Sequence, residues 1–413
     1  MLRRLLSVIA VAAGLVSGAT PSAVSAQAGV VPDTTPDGSM TRAHAADGVL
    51  GANFNQNLGS LNYRELQAAR ATWIRGFFTM PDADHGDPAD TTTLRTVLDA
   101  ARRGYGTALS LKFPLAETEM PAAGTEAMAG ELARLDKVLP VVMGRVDLLV
   151  IGNEPFIESR PQDRTDVLNH FYEAVTERVI AYRRAHCAPA CKTRLYMGAL
   201  NRLDLPDRRT PAAERWMRFV RETPDIQGVD IHPHVPSREA AQPFLDYVLP
   251  RLRPNQTFLA TEFSLVWYWK EHMGDPVSAG FAERYGFPAD AKVWQVIQAA
   301  IARPFPQQQW DDFLSSSPWL ESQKHYLRNQ METFRATGRL AMASYGFRQD
   351  TLMVQNFGPD KVPWLLNSVF APYTVQSAAN GLAGRGYPWI DDFRDLQLAP
   401  EQSRGDEEAV PGM

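Results

Sequence analysis

Eight short apolar runs alternate with longer amphipathic stretches between residues 48 and 346, and this alternation limits the possible folds more than any other feature of the chain. The apolar runs fall at 49–54, 72–77, 107–113, 146–151, 194–199, 228–231, 257–261 and 340–346. Each has the length of a strand, and near-continuous aliphatic runs suit strands covered on both faces. Helical spacing occupies 62–70, 91–103, 125–139, 163–185, 212–222 and 240–249. In the fourth of these, Leu168, Phe171, Tyr172, Val175, Val179 and Tyr182 recur at three and four, which predicts one buried stripe. Strands that alternate with helices build a parallel sheet, and eight such units predict a closed (β/α)8 TIM barrel. An open doubly wound sheet would carry a glycine-rich phosphate turn after its first strand; Asn53-Phe54-Asn55-Gln56 stands there instead.

The regular spacing breaks after the seventh strand, where roughly 80 residues separate Glu262 from Leu340. A helix at 320–337 accounts for the last part of this stretch. The remainder, 264–318, is an aromatic-rich insertion that includes Trp267, Tyr268, Trp269, Phe281, Tyr285, Trp294 and Trp310. Insertions of that length on the catalytic face of a barrel are usually functional. The aromatics are therefore expected to divide between a satellite core and a substrate platform. A last helix is expected at 362–379.

The two ends read differently from the barrel at 48–398. Arg3 and Arg4 precede an apolar stretch at 5–19, and Val24-Ser25-Ala26 offers small residues for cleavage, so 1–26 reads as a secretory signal peptide. The stretch is shorter than the roughly 20 residues of a spanning helix. Residues 27–47 read as a flexible leader and 399–413 as a disordered tail. Removing the two leader arginines takes the formal charge from -5 to -7, which makes nucleic acid and anionic membranes poor partners. In an exported chain the two cysteines, Cys187 and Cys191, predict a local disulfide.

The chemistry concentrates at two strand ends. Leu148-Leu149-Val150-Ile151-Gly152-Asn153-Glu154-Pro155 delivers Glu154 at the end of the fourth strand, and Phe258-Leu259-Ala260-Thr261-Glu262 delivers Glu262 at the end of the seventh. In parallel barrels the chemistry sits at the C-terminal rim. Glycoside hydrolysis needs such a pair, with one carboxyl protonated to assist the leaving oxygen and the other ionised. Burial beside an amide and aromatic walls is expected to raise the acid's pKa.

Asn153-Glu154-Pro155 and Glu262, in these positions, resemble the clan A glycoside hydrolases, retaining enzymes on a (β/α)8 barrel. The resemblance covers the whole barrel. Arg75 matches the arginine that cellulase-like members place after strand two, near the nucleophile, and His232 matches their histidine after strand six. The resemblance implies that Glu154 is the acid/base, that Asn153 binds the sugar 2-hydroxyl and that Glu262 is the nucleophile. Three positions depart from the pattern. His234 stands near the place of a tyrosine that touches the nucleophile, Ser264 replaces a glycine, and Tyr345 occupies the strand-eight end where relatives place a tryptophan. Trp267, Trp269 and Tyr345 are the expected sugar platforms. The expected partner is a carbohydrate and no cofactor is implied.

Two other readings come from other classes. His232 and His234 at strand spacing, with Asp230 or Glu262, have the residue types of a divalent-metal hydrolase site. A barrel that binds glycan without turning it over would use the same aromatics.

Overall fold

The computed structural model describes residues 48–397; the expected signal peptide, leader and tail lie outside them. Eight parallel strands close a barrel in chain order. They are β1 (Val49–Asn53), β2 (Trp73–Thr79), β3 (Gly106–Lys112), β4 (Leu148–Ile151), β5 (Arg194–Asn201), β6 (Ile226–His232), β7 (Thr257–Ala260) and β8 (Leu340–Gly346). The barrel closes where β1 pairs with β8, Val49 opposite Met342 and Asn53 opposite Gly346.

Six helices follow the first six strands: α1 (Tyr63–Ala68), α2 (Thr92–Arg102), α3 (Glu126–Val142), α4 (Asp166–His186), α5 (Pro211–Glu222) and α6 (Gln242–Val248). Five start on a side-chain cap. Asn62, Thr91, Thr125, Thr165 and Thr210 each accept a backbone N–H of the first turn, which fixes where the chain leaves each loop. The α4 stripe packs inward as its spacing requires, and only Tyr182, near its end, remains half-buried.

Strand periodicity sorts the side chains into two cores. Val49, Trp73, Ala108, Leu148, Val150, Tyr196, Leu259, Ala341 and Met342 form one cluster, while Ile74, Phe78, Leu109 and Leu149 belong to the larger core that includes the helices. Along β2 the residues two apart run Trp73, Arg75, Phe77; along β3 they run Ala108, Ser110, Lys112; along β6 they run Gly228, Asp230, His232. Successive alternate residues share a face. The β3 and β6 series become polar towards the C-terminal end and β2 carries Arg75 in its middle, which is why charge gathers at one mouth of the barrel.

Between β7 and β8 lie α7 (Val266–Glu271), α8 (Ala279–Tyr285), α9 (Val293–Ala302), α10 (Gln307–Ser315), α11 (Pro318–Glu321) and α12 (Tyr326–Ala336). Much of the aromatic content of this insertion is a satellite core: Phe281 packs on Tyr285, Phe287 and Phe313, and Trp310 is buried against Phe313. The helix expected at 362–379 does not form. Pro363 and Pro372 interrupt it, only the 3-10 turn Trp364–Leu366 appears there, and the closing helix is α13 (Trp389–Asp395). Cys187 and Cys191 are joined in the loop after α4. Among the described residues no helix is long and apolar enough to cross a membrane.

Candidate active site

Glu154 reaches the barrel mouth because of the residue two before it. Gly152 has φ +93, which L side chains rarely adopt, and a Cβ there would lie 2.9 Å from both Pro155 and Tyr172. Glycine lets β4 end abruptly and turn Asn153 and Glu154 over the mouth. Glu262 arrives two residues past β7.

Arg75 is fully buried and links the two carboxylate-bearing strands. Its Nη1 donates to Glu262 Oε1 at 2.5 Å, to Asn55 Oδ1 at 3.1 Å and to Asn53 Oδ1 at 3.2 Å; its Nη2 donates to Asn153 Oδ1 at 2.5 Å and to Ser110 Oγ at 3.1 Å. Asn153 in turn donates from Nδ2 to Glu158, whose carboxylate pairs with Lys112 at 2.7 Å. Asn153 is thus held at both ends of its amide. Burial first, then the Glu154 charge, raises the Glu158 carboxyl against the pull of Lys112. Arg75→Met strands Glu262 beside a neutral side chain. We expect a loss of about 3–5 kcal/mol in unfolding free energy, read by denaturant titration; a loss below about 1 kcal/mol would show that the contact is a surface-type pair.

His232, also fully buried, stands between the two glutamates. Its Nδ1 lies 3.0 Å from Glu154 Oε1 and 3.9 Å from Glu262 Oε1, so those two oxygens are separated by less than about 7 Å, which admits the retaining distance. Its Nε2 lies 2.9 Å from Thr261 Oγ1 and 3.4 Å from Asp230 Oδ2. Burial alone would depress the imidazolium, but Glu262, Asp230 and Glu154 outweigh it and raise its pKa to about 10. The local charge explains the sign: four carboxylates, Glu154, Glu158, Glu262 and Asp230, surround two fixed cations, Arg75 and Lys112. Glu262 is held well below the ordinary carboxylate range; burial opposes this, and His232, Arg75 and His234 overcome it.

Glu154 departs from expectation. Burial does push its carboxyl up, but the His232 hydrogen bond and charge reverse the sign, and the net direction is down. The nearest group raised towards protonation is His232, whose Nδ1 lies 3.0 Å from Glu154 Oε1. A raised histidine stabilises the fold fully below its unfolded value near 6.5 and loses that contribution as pH rises through about 10. The melting-temperature gap between the native protein and His232→Gln should be widest below pH 6.5 and shrink towards pH 10; a gap that is flat with pH, in a series of thermal melts, would leave His232 neutral.

Two of the three departures from the clan A pattern touch each other. His234 Nδ1 and Ser264 Oγ are 2.8 Å apart, which turns Nε2 towards Glu262 Oε2 at 3.6 Å. A glycine at 264 could not hold the imidazole, so the serine accompanies the histidine.

The expected sugar platforms fare unequally. Tyr345 and Trp269 are 0% exposed and cannot meet a ligand. Tyr345 packs on Phe263 and Trp389, and Trp269 packs on Trp389, because the phases of β8 and α7 turn both rings into the helix layer. Trp267 stays half-buried, with the Arg202 guanidinium 5.4 Å from its ring centroid. Two residues join the site that the sequence did not suggest. Asn201, ending β5, donates from Nδ2 to Glu154 Oε1 at 2.5 Å, and half-buried Trp364 meets His234 edge-on at 4.7 Å between centroids. An asparagine at a strand end and a tryptophan in a proline-flanked segment carry no periodic signal.

The fold and the site define a closed (β/α)8 barrel that brings two glutamates from strands four and seven to its C-terminal mouth. No family model and no curated protein matches the chain. Among solved structures it is similar to a glucosidase from Croceicoccus marinus, at TM-score 0.46 and 14% identity over 88% of this chain and 68% of that one. It is similar to a β-glucosidase from Exiguobacterium marinum, at TM-score 0.47 and 8% identity over 85% and 97%. A third is xylanase 10B from Thermotoga maritima, at TM-score 0.43 and 11% identity over 87% and 96%.

Proposed function

We propose that the protein is a retaining glycoside hydrolase of the clan A type, acting on a β-linked oligo- or polysaccharide by double displacement. One observation carries the reading: Glu154 and Glu262 flank the same His232 nitrogen within 4 Å, while Arg75 holds Glu262 ionised. Glu262 attacks the anomeric carbon as the bond to the leaving oxygen breaks. Glu154 takes the proton from His232 Nδ1 and passes it to that oxygen, so that Glu154 is again ionised and His232 neutral. Water then gives a proton to Glu154, which returns it to His232, while the water oxygen bonds to the anomeric carbon as the bond to Glu262 breaks. Arg75 and His234 aim the nucleophile, Asn153 offers its remaining N–H to the sugar, and Trp364 and Trp267 supply ring faces at the mouth. Export through the 1–26 signal peptide belongs to the proposal, and a disulfide at Cys187–Cys191 is in keeping with an oxidising compartment.

The test is a panel of 2-fluoro glycosyl fluorides followed by peptide mass mapping. Label on Glu262 is the expected result; label on another residue, or none across the panel with the protein folded, would end the retaining mechanism.

The metal-hydrolase reading has one observation in its favour: donor atoms of Glu154, His232 and His234 all lie within 4.8 Å of one another. Ligands about 2.0–2.1 Å from a tetrahedral zinc stand roughly 3.4 Å apart. Glu154 and His232 come that close, at 3.0 Å, but Arg75 already holds a positive charge against Glu262. Elemental analysis of the purified protein, with activity measured in chelator, separates the readings: stoichiometric metal and chelator-sensitive turnover would favour the metal.

A further inference from the structure

Beyond Glu154 the mouth of the barrel opens into a cleft of about 240 Å³ between the loops that follow β4 and β5. Phe156 and Ile157, immediately after Glu154, form one wall, and Asn201, which holds Glu154, forms part of the floor. An acid delivers its proton to the leaving oxygen, so a cleft walled by the residues just after Glu154 and floored by the asparagine bonded to it is placed to receive the departing group.

The cleft is basic in a chain of net negative charge. Arg164, Arg202 and Arg208 line it against one acid, Asp207. Arg202 is already committed, forked onto Asp204 through two contacts of 3.1 Å. Arg208 reaches Asp207 only at 3.9 Å, with both side chains exposed, a contact worth little. Arg164 donates to the backbone carbonyls of Ile157 and Ser159, and among the described residues it has no carboxylate partner. Burial first, and then the Arg208 charge, lowers the Arg164 guanidinium, as expected of two cations facing each other without an anion between them. A further buried group lacks a partner: Asn201 is 7% exposed and its Oδ1 accepts no hydrogen bond. Unsatisfied buried acceptors are uncommon, and a sugar hydroxyl is a fitting donor.

We propose that this cleft is the leaving-group subsite and that it selects a sugar bearing an oxyanion, a uronate carboxylate or a sulfate ester, held between Arg164 and Arg208 with a hydroxyl on Asn201 and its apolar face against Phe156 and Ile157. The assignment rests on the glycosidase reading for the meaning of "leaving group". The selectivity itself is a binding property and can be measured without turnover.

The experiment is a ligand-observed NMR titration of the full chain with glucuronic acid, glucose 6-sulfate and glucose in parallel. The expected result is that at least one acidic sugar binds about ten-fold tighter than glucose, the size of a charge-assisted hydrogen bond to an anion. That preference should fall to about two-fold in Arg164→Gln/Arg208→Gln. Because Arg164 ties down its own loop, the exposed single variant Arg208→Gln gives an independent reading: it should lose about three-fold of the preference with an unchanged melting temperature. A preference for glucuronic acid alone identifies the carboxylate, and one for glucose 6-sulfate alone identifies the sulfate. Equal binding of all three sugars, or a preference that survives both variants, overturns the proposal. Covalent labelling of Glu262 without any preference would keep the reaction and remove the acidic subsite; a preference without labelling would do the reverse.

Discussion

Glu262→Gln should lower kcat/KM by about 10^5-fold and abolish fluorosugar labelling while leaving a folded barrel. The substitution keeps the side chain's shape and an oxygen for Arg75, but it removes the electron pair that attacks. Arg75 lies 2.5 Å from Oε1 and His234 3.6 Å from Oε2, and both contacts serve an anion. The main defect is therefore expected in the reaction, with a lower melting midpoint as well because buried Arg75 loses its counter-charge. Circular dichroism at the assay temperature shows that the barrel is folded. Turnover within ten-fold of the native protein would mean that another group is the nucleophile.

Glu154→Ala should have a second, distinguishable signature. General acid catalysis contributes about 10^2–10^4-fold, and its weight grows with the basicity of the leaving group. For a disaccharide, whose leaving oxygen needs a proton, the loss should approach the top of that range. For the 2,4-dinitrophenyl glycoside of the same sugar the glycosylation step should be almost unaffected. Added azide, a nucleophile that needs no general base, should speed release of the sugar as the glycosyl azide. Equal losses on both substrates, with no effect of azide, would remove Glu154 from the acid/base role. His232→Gln should imitate part of this defect, since His232 Nδ1, 3.0 Å from Glu154 Oε1, is the proposed proton source. Its effect should stay level with pH and fade as the native imidazolium deprotonates near pH 10.

How far the sequence could be read depended on whether a residue lay within a repeating pattern. The strands were legible because each apolar run had a fixed length between helical stripes, and Glu154 and Glu262 were legible because they stand where such runs stop. Arg75 was legible only through the resemblance, as the arginine that cellulase-like members place after strand two. The platform aromatics were not. Trp267 and Trp269 are two apart in a helix that the sequence did not reveal, so one ring stays half-buried beside Arg202 and the other turns into the packing against Trp389. Tyr345 lies on the outward phase of β8 with Ala343, in the core shared with the helices. Asn201 and Trp364 act through contacts made across the barrel mouth, 47 residues from Glu154 in one case and 130 from His234 in the other, and nothing local marks them. The direction of the Glu154 shift was also beyond local reading, since it depends on a histidine 78 residues away.

The Arg75 contacts also bear on how the protein comes into being. Asn53, Ser110 and Asn153 belong to the first four strands, whereas Glu262 comes from the second half of the chain, so the nucleophile's counter-charge is supplied only when the two halves have met. A refolding chain that has formed its helices and its first four strands has the arginine and the acid but no poised nucleophile. Regained activity, followed beside far-ultraviolet dichroism, would thus time the docking of one half-barrel onto the other, an event to which a probe of helix content is blind.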